Sequence, residues 1–177
     1  MAFITCVCAG CGDAGNPEAA LSLDPVIEWN DDRLVIETGI EFQPSEAMRE
    51  ALERGVDLEL QVLTRVSRRI GPIAHLSEKR SWPIGIHFLP LTEQWQLSLA
   101  GYRQTYPRLW LLLDALAEPQ VYEPGFSRDF QQRGAWQVQI RVVFNRNALP
   151  PPMHLPSLFL RQWRLAEPWH TWQFDRS

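Results

Sequence analysis

The stretch Val56-Asp-Leu-Glu-Leu-Gln-Val-Leu-Thr-Arg-Val-Ser67 decides the fold class, because apolar and polar side chains alternate along almost its whole length. Successive side chains of a β-strand point to opposite faces, so this alternation predicts a long, half-buried strand. The pattern recurs most clearly in Trp136-Gln-Val-Gln-Ile-Arg-Val-Val-Phe144, and again at residues 33–42, 82–88 and 95–99. Consecutive short strands favour antiparallel pairing. The sequence therefore predicts a mainly β (α+β) fold, with an antiparallel sheet or sandwich.

Two short helices are expected between the strands. Pro44-Ser45-Glu46 stops a strand and caps a helix over residues 45–54, and Gly55 supplies a left-handed end. Apolar residues at helical spacing predict the second helix over residues 106–117, with Pro107 in its first turn.

Residues 21–177 are predicted to form a single antiparallel β-rich domain. The chain of 177 residues is 45% hydrophobic and 21% charged, which is typical of a globular protein. Residues 68–80 are a polar segment, in which Gly71-Pro72 predicts a turn or a break in the strand. The aromatic residues of the tail, 163–174, predict at least one closing strand.

The first 20 residues are expected to be a truncated export signal or a disordered N-terminal tail. The small pair Ala9-Gly10 directly precedes a cysteine in an apolar stretch, which resembles the bacterial lipoprotein pattern and makes Cys11 the expected site of lipidation. This predicts a location in the periplasm or on the outer face of a bacterial membrane, with membrane association through the N-terminus. The alternative is a thiol site, because Cys6-x-Cys8-x-x-Cys11 has ligand-like spacing, although structural zinc needs four ligands.

Charge is unevenly distributed along the chain. Residues 1–59 hold 13 acidic and 3 basic side chains, or −10, and residues 60–177 hold 8 acidic and 14 basic ones, or +6. One interpretation is charge complementarity inside the fold. The other is a basic surface for anionic lipid, glycan or an acidic partner, formed by Arg65, Arg68, Arg69, Lys79 and Arg80. The net charge of −4 and the export signal argue against nucleic acid as a partner.

The sequence predicts no catalytic, cofactor-binding or metal-binding residues and no cofactor. The four histidines lack metal-ligand spacing, the serines lack a nucleophile elbow, and no glycine-rich phosphate loop is present. Of the eight tryptophans, three fall on the apolar faces of predicted strands. Three in the tail have less regular spacing, and they either pack in the core or line a groove: Trp163, Trp169 and Trp172.

The order of several motifs resembles a family of exported bacterial proteins known only as domain of unknown function 4390. The resemblance covers residues 24–174. The motifs are Asp32-Arg-Leu-Val-Ile-Glu, Ala51-Leu-Glu-Arg-Gly-Val-Asp-Leu-Glu-Leu60, His87-Phe-Leu-Pro-Leu-Thr-Glu-Gln-Trp95, the helix at residues 107–117, Ile140-Arg-Val-Val-Phe, Leu149-Pro-Pro-Pro and the tail at residues 163–172. The resemblance implies an envelope location and no known activity, so it assigns no functional residues.

Together these observations predict a non-enzymatic envelope module that acts as a protein-binding accessory with an envelope partner. The second hypothesis is a binder of lipid, glycan or a small ligand through an aromatic-lined cleft, and the third is a hydrolase. An open sheet edge or an exposed apolar patch would favour the protein-binding module. A deep pocket with clustered titratable groups would favour the enzyme.

Overall fold

The computed structural model describes residues 15–22, 24–30, 33–70, 73–124, 134–165 and 168–176. Their strands are β1 (Glu18–Leu21), β2 (Val26–Asn30), β3 (Arg33–Thr38), β4 (Ile40–Gln43), β5 (Leu58–Ile70), β6 (Ile73–Leu89), β7 (Gln94–Leu99), β8 (Tyr102–Tyr106), β9 (Gln120–Tyr122), β10 (Gly134–Phe144) and β11 (His170–Arg176). Their helices are α1 (Glu46–Glu53), α2 (Leu109–Ala117) and α3 (Pro151–Phe159), with 3₁₀ helices at Arg146–Ala148 and Arg161–Trp163. The predicted mainly β, antiparallel fold class is confirmed.

The largest sheet has the strand order β11-β10-β5-β6-β7-β8, and every neighbouring pair is antiparallel. Alternate residues of the long strands β5 and β10 are buried, as their alternation predicts. We call this side of the sheet the core face, and its members on β5 and β10 are Leu58, Leu60, Val62, Thr64, Val66, Trp136, Val138, Ile140, Val142 and Phe144. The opposite side is the outer face.

A second layer covers the core face and completes a sandwich. The three-stranded sheet β2-β3-β9 contributes Trp29, whose ring centroid lies 6.2 Å from that of Trp136 and 5.9 Å from that of Phe174. Tyr122 of β9 lies 5.5 Å from Trp82 in an edge-to-face arrangement. The two-stranded sheet β1-β4 and helix α2 extend this layer, since α2 lies against β4. Aromatic rings therefore join the two layers of the core.

The ends of α1 follow the predicted signals, whereas the start of α2 does not. The Ser45 hydroxyl accepts a hydrogen bond from the Met48 N–H at 3.2 Å, and Gly55 has a φ of 82° just after the helix. The predicted start of α2 at residue 106 is wrong, because Tyr106 ends strand β8 and pairs with Trp95. The helix begins only after Pro107.

Three other predictions about elements need correction. The strands predicted over residues 56–67 and 82–88 extend further than expected, because β5 and β6 stay paired as far as Ile70 and Ile73. The turn or break predicted at Gly71-Pro72 lies outside the described residues. Helix α3 was not predicted, since prolines open it. Residues 18–20, assigned to the N-terminal tail, form most of β1 and pair with β4. The rest of that predicted tail, residues 1–14, lies outside the described residues.

Candidate functional site

The structure divides the predicted basic patch between the two faces of the large sheet. Arg68 pairs with the buried Trp136, and Arg80 pairs with the buried Thr64, so both arginines lie on the core face. The Arg80 Nε donates to the Pro124 carbonyl at 3.0 Å and lies 3.1 Å from the Glu78 carboxylate. These two residues therefore do not belong to an outward-facing patch.

The other three predicted basic residues lie on the outer face, where the structure adds Arg141 and Trp169. Arg65 and Lys79 are cross-strand neighbours. The Arg65 guanidinium lies 4.2 Å from the centroid of the Trp169 ring, and that of Arg141 lies 5.1 Å from it. Arg69 lies further along β5 and donates to Gln173 at 3.0 Å. We call the set Arg65, Lys79, Arg141 and Trp169 the outer basic cluster.

The outer basic cluster has little nearby negative charge. Among the described residues, Arg65, Lys79 and Arg141 form no ion pair. Glu59 is an acidic side chain of the same face, and it accepts hydrogen bonds from Gln61 and Asn145. The Arg141 Nε is buried and has no hydrogen-bond partner among the described residues. Alternation in β10 already predicted that Arg141 and the buried Val142 point to opposite faces of the sheet. Only the strand register shows that Arg141 lies near Arg65.

A groove of about 790 Å³ opens on the other side of the sheet, at its β8 end. Its floor is the core face of β7 and β8, and its walls are α2 and β9. The tyrosines and carboxylates that line it are Tyr102, Tyr106, Tyr122, Asp114 and Glu118. No lysine or arginine lines it among the described residues. The groove is therefore aromatic and acidic.

Burial and a neighbouring carboxylate act together on one tyrosine of the groove. The pKa of Tyr106 is raised first by its partial burial and second by the negative charge of Glu118. Burial alone raises the pKa of Tyr122 further. Both hydroxyls are therefore protonated at neutral pH. The Tyr106 hydroxyl can donate a hydrogen bond to a bound group.

Family comparison identifies the chain only at the level of a domain. A family model described as Domain of unknown function (DUF4390) matches residues 23–173. The chain belongs to this family. The predicted resemblance is thus confirmed, over nearly the range expected from the motifs. No curated protein and no solved structure gave a match.

The tail tryptophans of this DUF4390 domain do not line the groove. Trp163 is buried with its ring 6.0 Å from that of Phe144, and Trp172 packs against the core. Trp169 belongs to the outer basic cluster.

Several other candidate groups are dispersed. His87 lies on the outer face, with its Nδ1 2.9 Å from Asp57 and its Nε2 3.2 Å from the Ser98 hydroxyl. Within the described ranges, no three histidine, cysteine or acidic side chains form a group that could hold a metal ion. The three cysteines, including Cys11, lie outside those ranges. None of the helices described in this DUF4390 domain is long and apolar enough to span a membrane.

Proposed function

We propose that this DUF4390 domain is a non-enzymatic protein-binding module, and that its groove receives an extended segment of a partner protein. The observation that carries the proposal is the free edge of strand β8, which borders the groove. Strand β8 pairs with β7 on one side and, within the described part of the chain, with no strand on the other. The free backbone N–H and C=O groups of an edge strand are a template for an added strand.

The lining of the groove indicates the chemistry of the partner segment. Tyr102 is largely exposed at the free edge, and Val121 is exposed on β9, so both offer apolar surface. Asp114 and Glu118 supply negative charge that no basic side chain of the lining offsets. Complementary charge favours the correct partner and register. We therefore expect an extended segment that carries an apolar side chain close to a lysine or arginine.

Site-specific crosslinking in cells tests this proposal. A photo-crosslinking residue in place of Tyr102, in the full-length chain, should form an adduct with an envelope protein. The crosslinked peptide should contain a basic residue. Replacing Asp114 and Glu118 by lysine should abolish the adduct, because the groove would then repel that residue.

The matched control carries the crosslinker at Leu91, an apolar residue that is fully exposed in the turn between β6 and β7. This position should give no adduct with the same protein. The proposal is wrong if both positions give the same adduct, or if the Tyr102 adduct survives the charge reversal.

A small-ligand binder is the second candidate, because three tyrosines line the groove. Aromatic rings with a few polar groups are typical of ligand sites. Native mass spectrometry of the protein purified from its own cells distinguishes the two functions. A bound small molecule that is lost in a Tyr106→Ala variant would favour this alternative.

The envelope location is part of the proposal and is supported by the Ala9-Gly10-Cys11 pattern and by the resemblance to exported proteins. Cell fractionation should recover the chain with the envelope. A fatty-acid label that disappears in Cys11→Ser would identify lipidation at that thiol. Recovery of the chain in the cytoplasm alone would contradict the proposed location.

A further inference from the structure

Helix α3 presents an apolar surface to solvent. Leu155 is 68% exposed, Leu158 46% and Phe159 75%, and these positions have the i, i+3, i+4 spacing of one helix face. The exposed Pro151 and Pro152 continue the same stripe one turn earlier. We call these five residues the α3 ridge. An exposed helix face is normally polar, so contiguous apolar side chains indicate an interaction surface.

The polar side chains of α3 point the other way. The Ser157 side chain is fully buried, and its hydroxyl donates to the His154 carbonyl at 2.7 Å. The His154 Nε2 donates to the Leu149 carbonyl at 2.7 Å. Met153 packs against the core. The polar side chains of His154 and Ser157 are thus bonded to nearby backbone carbonyls, and the α3 ridge stays exposed.

Positive charge borders the α3 ridge. Arg161 and Arg164 are exposed just after the helix, and Arg146 precedes it. The Arg164 Nη2 donates to the Leu158 carbonyl at 2.9 Å, which holds this guanidinium at the end of the ridge. Residues 145–165 contain no aspartate or glutamate.

Helix α1 is an acidic element that is joined to this region, because the Ser45 hydroxyl donates to the Gln162 carbonyl at 2.7 Å. Two of its carboxylates are paired with Arg49 of the helix and with Arg54, the residue that caps its C-terminal end. The Glu46–Arg49 distance is 3.5 Å and the Glu50–Arg54 distance is 3.1 Å. Counting Arg54, residues 46–54 have a net charge of −1, which comes from Glu53, so the border of the ridge remains positive.

We infer that the α3 ridge binds the surface of a lipid bilayer that contains anionic lipids. Leucine and phenylalanine on one exposed helix face resemble the apolar face of helices that lie at the boundary of headgroups and acyl chains. The positive charge of this surface comes from the flanking arginines, not from α3 itself. Arginines near that boundary are attracted to anionic headgroups. The positive border and the lack of carboxylates in the segment fit this surface. The inference uses no residue of the groove, and it is therefore independent of the proposed function.

Vesicle binding by the full-length chain tests the inference. The chain should carry Cys11→Ser, so that lipidation does not contribute. It should sediment with phosphatidylcholine vesicles that contain phosphatidylglycerol, and less with pure phosphatidylcholine. Leu155→Ser combined with Phe159→Ser should weaken binding by about tenfold or more, because both side chains lose their apolar contact with lipid.

The control is Leu91→Ser, which removes an equally exposed leucine outside the ridge and should leave binding unchanged. Arg161→Gln should reduce binding to the anionic vesicles and leave binding to pure phosphatidylcholine vesicles unchanged. A Phe159→Trp variant reports on the ridge directly. Its additional fluorescence should shift to shorter wavelength with anionic vesicles and be quenched by brominated lipid.

Three results would overturn the inference. The first is vesicle binding that the double substitution does not change. The second is the absence of vesicle binding with a folded protein. The third is a concentration-dependent oligomer, without vesicle binding, that the same substitutions dissociate, because the α3 ridge would then be an interface between copies of this chain.

Discussion

Tyr122 places a hydroxyl group in the core. Its side chain is 1% exposed, and its hydroxyl forms no hydrogen bond among the described residues. A buried polar group that lacks a partner destabilises the fold by about 1–3 kcal/mol. Tyr122→Phe should therefore raise the free energy of unfolding at pH 7 by about 1 kcal/mol, as measured by urea denaturation.

The same substitution should change the response to alkaline pH. Burial raises the folded-state pKa of Tyr122 above its ordinary value of 10.0. Above that value the unfolded chain loses the proton and the folded chain keeps it, so stability present at neutral pH falls as pH rises. One proton contributes a slope of at most about 1.4 kcal/mol per pH unit. Tyr122→Phe should remove this contribution, whereas the exposed Tyr102→Phe should not. A loss of stability in Tyr122→Phe at pH 7 would contradict the interpretation.

Alternation along a strand predicts burial residue by residue but cannot predict which neighbours meet. It predicted Trp136 and Val138 in the core because apolar residues at every second position must share a face. It did not separate Arg68 from Arg65, because the strand was predicted to end at Ser67, before the alternation reached Arg68. It could not bring Arg141 to Arg65, since their proximity depends on the register of β5 against β10. The basic cluster was therefore only partly predictable.

At the scale of elements, Ser45 joins the start of α1 to the segment that follows α3. Its buried hydroxyl accepts from the Met48 N–H and donates to the Gln162 carbonyl. Ser45→Ala should lower the free energy of unfolding by about 1–2 kcal/mol, because it removes a helix cap and leaves that carbonyl without its donor. Chemical denaturation measures the change. Ser81→Ala, at an exposed serine of β6, is the control and should have almost no effect. Equal stability of the two variants would show that the link is not stabilising.

Prolines and polar strands explain the elements that were predicted wrongly. Proline lacks an N–H and is therefore disfavoured in the interior of a strand or helix, yet it is well tolerated in the first turn of a helix. The prolines of residues 150–152 open α3 in this way. Strand β8, with the sequence Tyr-Arg-Gln-Thr-Tyr, shows no apolar alternation because its core-face side chains line the groove instead of packing in the core. The same side chains therefore form the floor of the groove and make β8 difficult to predict from apolar alternation.

For the molecule as a whole, the uneven charge of the sequence is not neutralised by the ion pairs described. Residues 1–59 are acidic and residues 60–177 are basic. Among the described ion pairs, Asp57–His87 joins an acidic side chain of the first part to a basic side chain of the second. Arg33–Glu123 joins the two parts in the opposite sense. The described ion pairs therefore do not supply the predicted internal complementarity. The outer face instead keeps five basic side chains: Arg65, Arg69, Lys79, Arg103 and Arg141.

This distribution predicts salt-dependent binding of polyanions by the outer face. The full-length chain should be retained on immobilised heparin at low ionic strength and released as salt rises, because surface charges are screened over about 8–10 Å near physiological ionic strength. Arg65→Gln combined with Arg141→Gln should lower the salt concentration needed for elution, since both guanidinium groups lie on the Trp169 ring. The matched control, Arg49→Gln with Arg54→Gln, removes the same charge from α1 and should change elution much less.

The free energy of unfolding of the Arg65→Gln and Arg141→Gln double variant should stay within about 2 kcal/mol of that of the original chain, because two exposed cation–π contacts together contribute no more than this. If the two double variants elute alike, retention reflects net charge and the outer basic cluster is only a solvated surface.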